Sequence, residues 1–154
     1  MKTLGALCGV LCLALVITQT RANRVVDFTV FPSFINPSHP AGYLTLRCGV
    51  VRDGYTRDSD YGYYHFLGIY HKVCCQEAIA AVRPGHDAYF FKEKMRVTGH
   101  LPRHRDAPDV GFLEVTLEYP GAEQGGDYMC VLDGTDRHGF YKFMRENVTV
   151  SVYK

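Results

Sequence analysis

The segment Tyr43-Leu44-Thr45-Leu46-Arg47-Cys48-Gly49-Val50 alternates at period two, a pattern that suits a strand and not a helix. It places Leu44, Leu46, Cys48 and Val50 on one face, with Thr45 and Arg47 on the other. The same period recurs along the chain. Val25 to Phe31 predicts a first strand, and Gly111 to Tyr119 sets Leu113, Val115 and Leu117 on one face. Tyr141 to Tyr153 turns Val148, Val150 and Val152 one way and Asn147, Thr149 and Ser151 the other. Phe66 to Val73 reads as a strand with Leu67 and Ile69 inward, and Tyr89 to Phe91, Arg96 to Gly99 and Tyr128 to Leu132 add shorter candidates. Glu77 to Val82 suits a short strand or one helical turn equally.

Proline, glycine and polar clusters separate these segments. Pro32, Pro37 and Pro40 break the chain early, and Arg52 to Gly62 reads as a polar loop. Pro84-Gly85, Leu101 to Asp109 and Asp133 to Gly139 mark later breaks. Seven to nine short strands without an internal repeat point to a two-sheet antiparallel sandwich, with a small closed barrel as the rival.

The beginning of the chain reads differently. Lys2 precedes a 14-residue apolar run, Leu4 to Ile17, followed by Thr18 to Ala22 with small residues at Thr20 and Ala22. This is the pattern of a secretory signal peptide over residues 1–22, leaving a single domain over 23–154. As a helix the run would span only about 21 Å, against the roughly 30 Å of a bilayer core. Removal of 22 residues from 154 leaves 132, with 15 basic and 16 acidic residues. That balance argues against a nucleic-acid partner, which calls for a basic face. No second apolar stretch of spanning length predicts membrane insertion. The expectation is a secreted, extracellular protein whose four remaining cysteines, Cys48, Cys74, Cys75 and Cys130, meet an oxidising compartment.

Gln124-Gly125-Gly126-Asp127-Tyr128-Met129-Cys130 resembles the D-x-G-x-Y-x-C signature of immunoglobulin domains. Gly126, Tyr128 and Cys130 match, while Gln124 stands where Asp is usual. Val115-x-Leu117 sits at the separation expected of the preceding strand, and Cys48 lies on an alternating strand of its own. The resemblance implies an all-β, immunoglobulin-like antiparallel two-sheet sandwich of variable type, with extra edge strands around residues 77 to 99. It also implies a Cys48–Cys130 disulfide through the core and a corner capped by the Tyr128 hydroxyl. A bond closing that 82-residue interval is worth about 4 to 5 kcal/mol in the chain-entropy model. The sequence contains no Trp, so Leu67 or Ile69 must occupy the volume beside the disulfide. No F-G-x-G bulge follows Phe140, which disfavours an antigen-receptor chain. Val30-x-Pro32, Leu44-x-Leu46-x-Cys48, the long central insertion and Tyr128-x-Cys130 are also similar to the amino-terminal immunoglobulin domains of molluscan fibrinogen-related lectins. The fibrinogen domain that carries sugar binding in those lectins has no counterpart here.

Adjacent Cys74 and Cys75 do not satisfy ordinary disulfide geometry, because neighbouring Cα atoms are about 3.8 Å apart and a bridge needs about 4.4 to 6.8 Å. Intermolecular bridging, a vicinal disulfide and free thiols remain open. Seven histidines invite a metal reading, and His71-x-x-Cys74 has a tolerable zinc spacing, but no second ligand pair completes a site. No catalytic or nucleotide fingerprint is present, so neither an enzyme nor a cofactor is expected. Asn147-Val148-Thr149 is an N-glycosylation sequon.

In a sandwich, the loops after Cys48 and Cys130 share one end. The first carries Tyr55, Arg57, Tyr61, Tyr63 and Tyr64, and the second carries Asp133, Asp136, Arg137 and His138. Tyrosine gives contact area for two side-chain torsions, and small polar residues adapt around it. These residues form a candidate binding tip for a protein or glycan ligand, consistent with a secreted innate-immune recognition factor. The alternative is a structural or interaction subunit of an extracellular assembly linked through Cys74 or Cys75. Non-reducing and reducing gels separate the two: a dimer band that disappears on reduction selects the assembly, and monomer in both lanes selects the recognition module.

Overall fold

The computed structural model describes residues 25–38, 42–51, 61–71, 78–90 and 94–153. The expected signal peptide (1–22), Tyr55, Arg57, Cys74 and Cys75 lie outside the described residues. The strands are β1 (Val26–Phe31), β2 (Phe34–Ile35), β3 (Tyr43–Val50), β4 (Tyr61–His71) and β5 (Ala78–Val82). They continue with β6 (Tyr89–Phe90), β7 (Met95–His100), β8 (Phe112–Glu118), β9 (Gly126–Asp136) and β10 (Tyr141–Val152). One sheet has the order β1-β3-β8-β7 and the other β2-β10-β9-β4-β5-β6. Two open sheets exclude the closed barrel. The short β2 pairs parallel to β10, and the remaining ladders are antiparallel.

The strict alternation of β3 and β8 is reproduced in their burial, with Leu44, Leu46, Cys48, Leu113 and Val115 fully enclosed between the sheets. One open alternative is settled and two local expectations need correction. Ala78–Val82 is a strand despite its alanines, because pairing with β4 on one side and β6 on the other overrides alanine's helical preference. β4 begins at Tyr61, so Tyr61, Tyr63 and Tyr64 belong to a strand and not a loop. β9 extends to Asp136, so Asp133 and Asp136 are strand residues too, Asp133 paired with both β4 and β10 and Asp136 with β4. Their polar side chains and Gly134 give loop-like composition to a central strand.

Cys48 and Cys130 form the disulfide between the sheets, with Cα atoms 6.1 Å apart and both side chains inaccessible to solvent. Ile69 lies opposite Cys130 and Leu67 opposite Leu132, and both are completely buried. These two aliphatic chains lie where an immunoglobulin domain usually presents tryptophan. The Tyr128 hydroxyl donates to the Gln124 carbonyl at 2.6 Å, the arrangement of a tyrosine corner. Its ring stacks on His71 at 4.3 Å, and His71 Nε2 lies 2.9 Å from the Gly125 carbonyl oxygen. Gly126 has φ of 111°, a conformation that disfavours any side chain.

Replacing Tyr128 by Phe removes this hydroxyl while keeping the ring. A net loss of about 1 to 2 kcal/mol is expected, lowering Tm by about 3 to 8 °C in a thermal melt. An unchanged Tm would show that the corner contributes nothing to stability.

Candidate functional site

Four segments meet at one end of the sandwich: the start of β4, the β5–β6 turn, the β7–β8 loop and the β9–β10 hairpin. β4 and β9 pair there, with Tyr61 opposite Asp136, Tyr63 opposite Thr135 and Tyr64 opposite Gly134. Register shifts between Tyr61 and Tyr63, and again between Tyr64 and Phe66, interrupt the alternation of β4. A bulge of this kind re-aims the side chains that follow it. Tyr61 and Tyr64 consequently both join the core, at 2% and 4% exposure, while Tyr63 is 47% exposed. The Tyr61 hydroxyl donates to the Leu132 carbonyl at 3.3 Å. Burial, reinforced by Asp133, pushes its pKa well above the usual phenol range. Tyr61 and Tyr64 therefore act as packing residues, and of the three tyrosines only Tyr63 offers its ring to a ligand.

The hairpin sorts its residues in a similar way. The Asp136 carboxylate accepts the N–H of His138 at 2.8 Å and that of Phe140 at 2.9 Å, fixing the turn. Gly139, with φ of 86°, completes it. Asp136 thus caps the turn, while Arg137, His138 and Phe140 stand exposed at the end of the hairpin. Gly62 lets the chains approach, since a Cβ there would lie 3.1 Å from the Arg137 backbone.

The β7–β8 loop supplies residues that the sequence did not single out. Leu101 is buried and anchors it. The Tyr64 N–H donates to the Arg103 carbonyl at 2.9 Å, and Tyr63 forms an isolated bridge with His104. The Tyr63 and His104 rings meet edge to face at 4.7 Å. Gly62, Tyr63, His104, Asp106, Ala107 and Arg137 enclose an open cleft of about 490 Å³. The Arg137 guanidinium stands 3.9 Å from the Asp106 carboxylate, and both are largely solvated, so the pair is weak and either charge can turn to a ligand.

Asp133 lies on the outer face of the larger sheet, in a neighbouring cleft with His65, Phe66, Tyr70, Arg83 and Tyr141. Its Oδ1 is buried without a hydrogen-bond partner among the described residues. Desolvation raises its pKa, and the opposing fields of His65 and Arg83 do not cancel the effect. Tyr70 and Tyr141 are raised as well, by burial first and then by Asp133. Asn147 is exposed on β10, opposite Met129.

No protein-family profile matches the chain, and no curated protein does. Among solved structures it is similar to murine CRIg, with a TM-score of 0.52 at 10% identity, over 84% of this chain and 98% of that chain. The sandwich is immunoglobulin-like. At that identity the likeness concerns the fold alone. In this immunoglobulin-like domain the residues gathered at the tip are Tyr63, Arg137 and His138 from the predicted set, together with the unforeseen His104, Arg103 and Arg83, while Asp133 lies on the adjoining sheet face. The loop's charge was visible in sequence. Its backbone pairing with Tyr63 and Tyr64 was not, because it joins residues about 40 positions apart.

Asp133 and Asp136 carry opposite pH signatures. Asp133 has a raised folded pKa, so the folded state holds its proton more tightly, and stability falls as pH rises from about 4 through that value. For Asp136, desolvation is outweighed by the backbone hydrogen bonds from Phe140 and His138, which lower its pKa. Its contribution is complete above about pH 4 and is lost as pH falls through the folded value. In melts across pH, Asp133→Asn should exceed wild type in Tm at pH 7, with the gain shrinking toward pH 4. Asp136→Asn should fall below wild type at pH 7, with the deficit shrinking in acid. The same sign for both variants would contradict the assignment.

Proposed function

We propose that the chain is a secreted, single-domain immunoglobulin-like binding protein, a humoral innate-immune recognition factor that captures a protein or glycan ligand through its loop tip. The observation that carries this reading is the convergence of exposed Tyr63, His104 and Arg137 on one open cleft, above strands locked into the core. Tyrosine and arginine are the side chains that most often dominate binding energy, and here a rigid sheet holds them. Secretion is supported by the residue pattern of 1–22 and by the intramolecular disulfide. The defence role rests on the resemblance to the immunoglobulin domains of molluscan lectins. No helix among the described residues is long and apolar enough to cross a membrane. The exposed Asn147 is accessible to a glycosyltransferase. Binding requires no catalytic group and no cofactor.

A second reading, a subunit of a disulfide-linked assembly, is favoured by one feature. The core disulfide uses Cys48 and Cys130, leaving Cys74 and Cys75 for other chemistry.

The test is capture of ligand from the protein's own fluid under non-reducing conditions, with mass spectrometry of what is retained. Tyr63→Ala combined with Arg137→Ala should reduce capture at least tenfold, since truncating a dominant contact costs about 2 kcal/mol or more. Capture unchanged by the double substitution would move the site to a sheet face.

A further inference from the structure

Tyr63 is a wall between two clefts. On the side away from Arg137 lies a second concavity of about 360 Å³, lined by Tyr63, His65, Arg83, His86 and Arg103 together with Tyr64 and Pro84. Three separate segments build it: the start of β4, the β5–β6 turn and the β7–β8 loop. Its cationic side chains have fixed bases. Arg83 directly follows Val82, which is completely buried at the end of β5. Arg103 is held through its carbonyl by the Tyr64 N–H. The Arg103 guanidinium reaches the Pro84-Gly85 turn, where Nη2 lies 3.9 Å from the place a Gly85 Cβ would occupy.

The charge of this cleft is one-sided. Among the described residues no carboxylate lines it, and none forms an ion pair with Arg83 or Arg103. Asp133 faces His65 and Arg83 from the neighbouring cleft, on the outer face of the sheet. Among the described residues, only Arg83 of the two arginines is faced by a carboxylate, that of Asp133 in the adjoining cleft. A concave surface carrying one sign of charge concentrates its field on whatever enters. The guanidinium fork matches planar or tetrahedral oxyanions, which it can hold by two parallel hydrogen bonds.

Shape narrows the ligand. The volume is at the small end of ligand-binding cavities and suits one or two sugar rings. An extended acidic peptide needs a long edge or a strip of cations, and this open cleft offers two arginines, one from the β5–β6 turn and one from the β7–β8 loop. Tyr63, 47% exposed, supplies a ring face on which the C–H face of a pyranose can lie. We propose that this cleft binds an acidic saccharide, with a sugar ring packed on Tyr63 and its carboxylate or sulfate held between Arg83 and Arg103. The proposal rests on the tip-binding function and specifies its ligand class.

The experiment uses the full secreted chain and defined probes: a sialylated trisaccharide, a sulfated hexasaccharide, the asialo and desulfated counterparts, and hexaglutamate. At least one acidic sugar should bind tenfold or more tightly than its neutral counterpart, with affinity falling as salt rises. Preference for the sialylated or the sulfated probe identifies which anion is read. Arg83→Gln and Arg103→Gln should each weaken binding at least tenfold. Arg103→Lys, which keeps the charge and loses the fork, should fall between Arg103→Gln and wild type. Thermal melts of these surface variants should match wild type, which separates a binding defect from unfolding. Equal binding of neutral and acidic sugars, equal binding of hexaglutamate, or failure of wild type to bind either acidic sugar would overturn the proposal. If ligand capture from fluid then still depends on Arg137, only the ligand class is overturned. If that capture is also independent of Arg137, the tip function falls with it.

Discussion

One covalent link, Cys48 to Cys130, joins the second strand of the smaller sheet to the third strand of the larger one, and the rest of the core is arranged around it. Cys48 lies between Phe28 and Leu113 in its sheet, and Cys130 between Ile69 and Glu146 in its own. In a chain with no tryptophan, the volume beside the sulfurs is divided among branched aliphatic chains, which pack from both sheets without needing a polar partner. Tyr128 does have a polar end, and its hydroxyl is satisfied by the Gln124 carbonyl, while its ring lies on His71. The histidine in turn contacts the Gly125 carbonyl, so the corner, the disulfide strand and β4 behave as one unit.

The tip inherits its rigidity from this unit. β4 and β9, which carry Ile69 and Leu132 beside the disulfide, stay paired through two register shifts as far as Tyr61 and Asp136. Residues at the exposed end are consequently displayed on the two strands that have the most extensive mutual contact. The β7–β8 loop is clamped to β4 by main-chain hydrogen bonds, Tyr64 N–H to the Arg103 carbonyl and Arg105 N–H to the Gly62 carbonyl. Arg103, which would otherwise sweep a large volume, is thereby brought over the β5–β6 turn.

The sandwich was legible because its evidence is local. Leu44-x-Leu46-x-Cys48 and Leu113-x-Val115-x-Leu117 carry their burial pattern in their spacing, and Gly126-x-Tyr128-x-Cys130 carries a corner and a bond. What resisted was the extent of β4 and β9. Polar and glycine-rich residues such as Asp133, Gly134 and Thr135 look like loop until a partner strand on each side is known. The site was half visible for the same reason. Tyr63, Arg137 and His138 follow from composition, but the burial of Tyr61 and Tyr64 depends on bulges that leave no mark in the sequence. The contribution of Arg83 and Arg103 depends on tertiary pairing, which single-chain periodicity does not encode.

Those two bulges make the surface of the tip a matter of counting. Between Tyr61 and Tyr64 the chain decides which aromatic ring faces solvent by the number of residues it inserts, and the chemistry of each ring is secondary, since all three are tyrosines. Gain or loss of one residue there would exchange wall for core while leaving the composition almost untouched. Descendants of such a domain could acquire a different binding surface through a change in length alone.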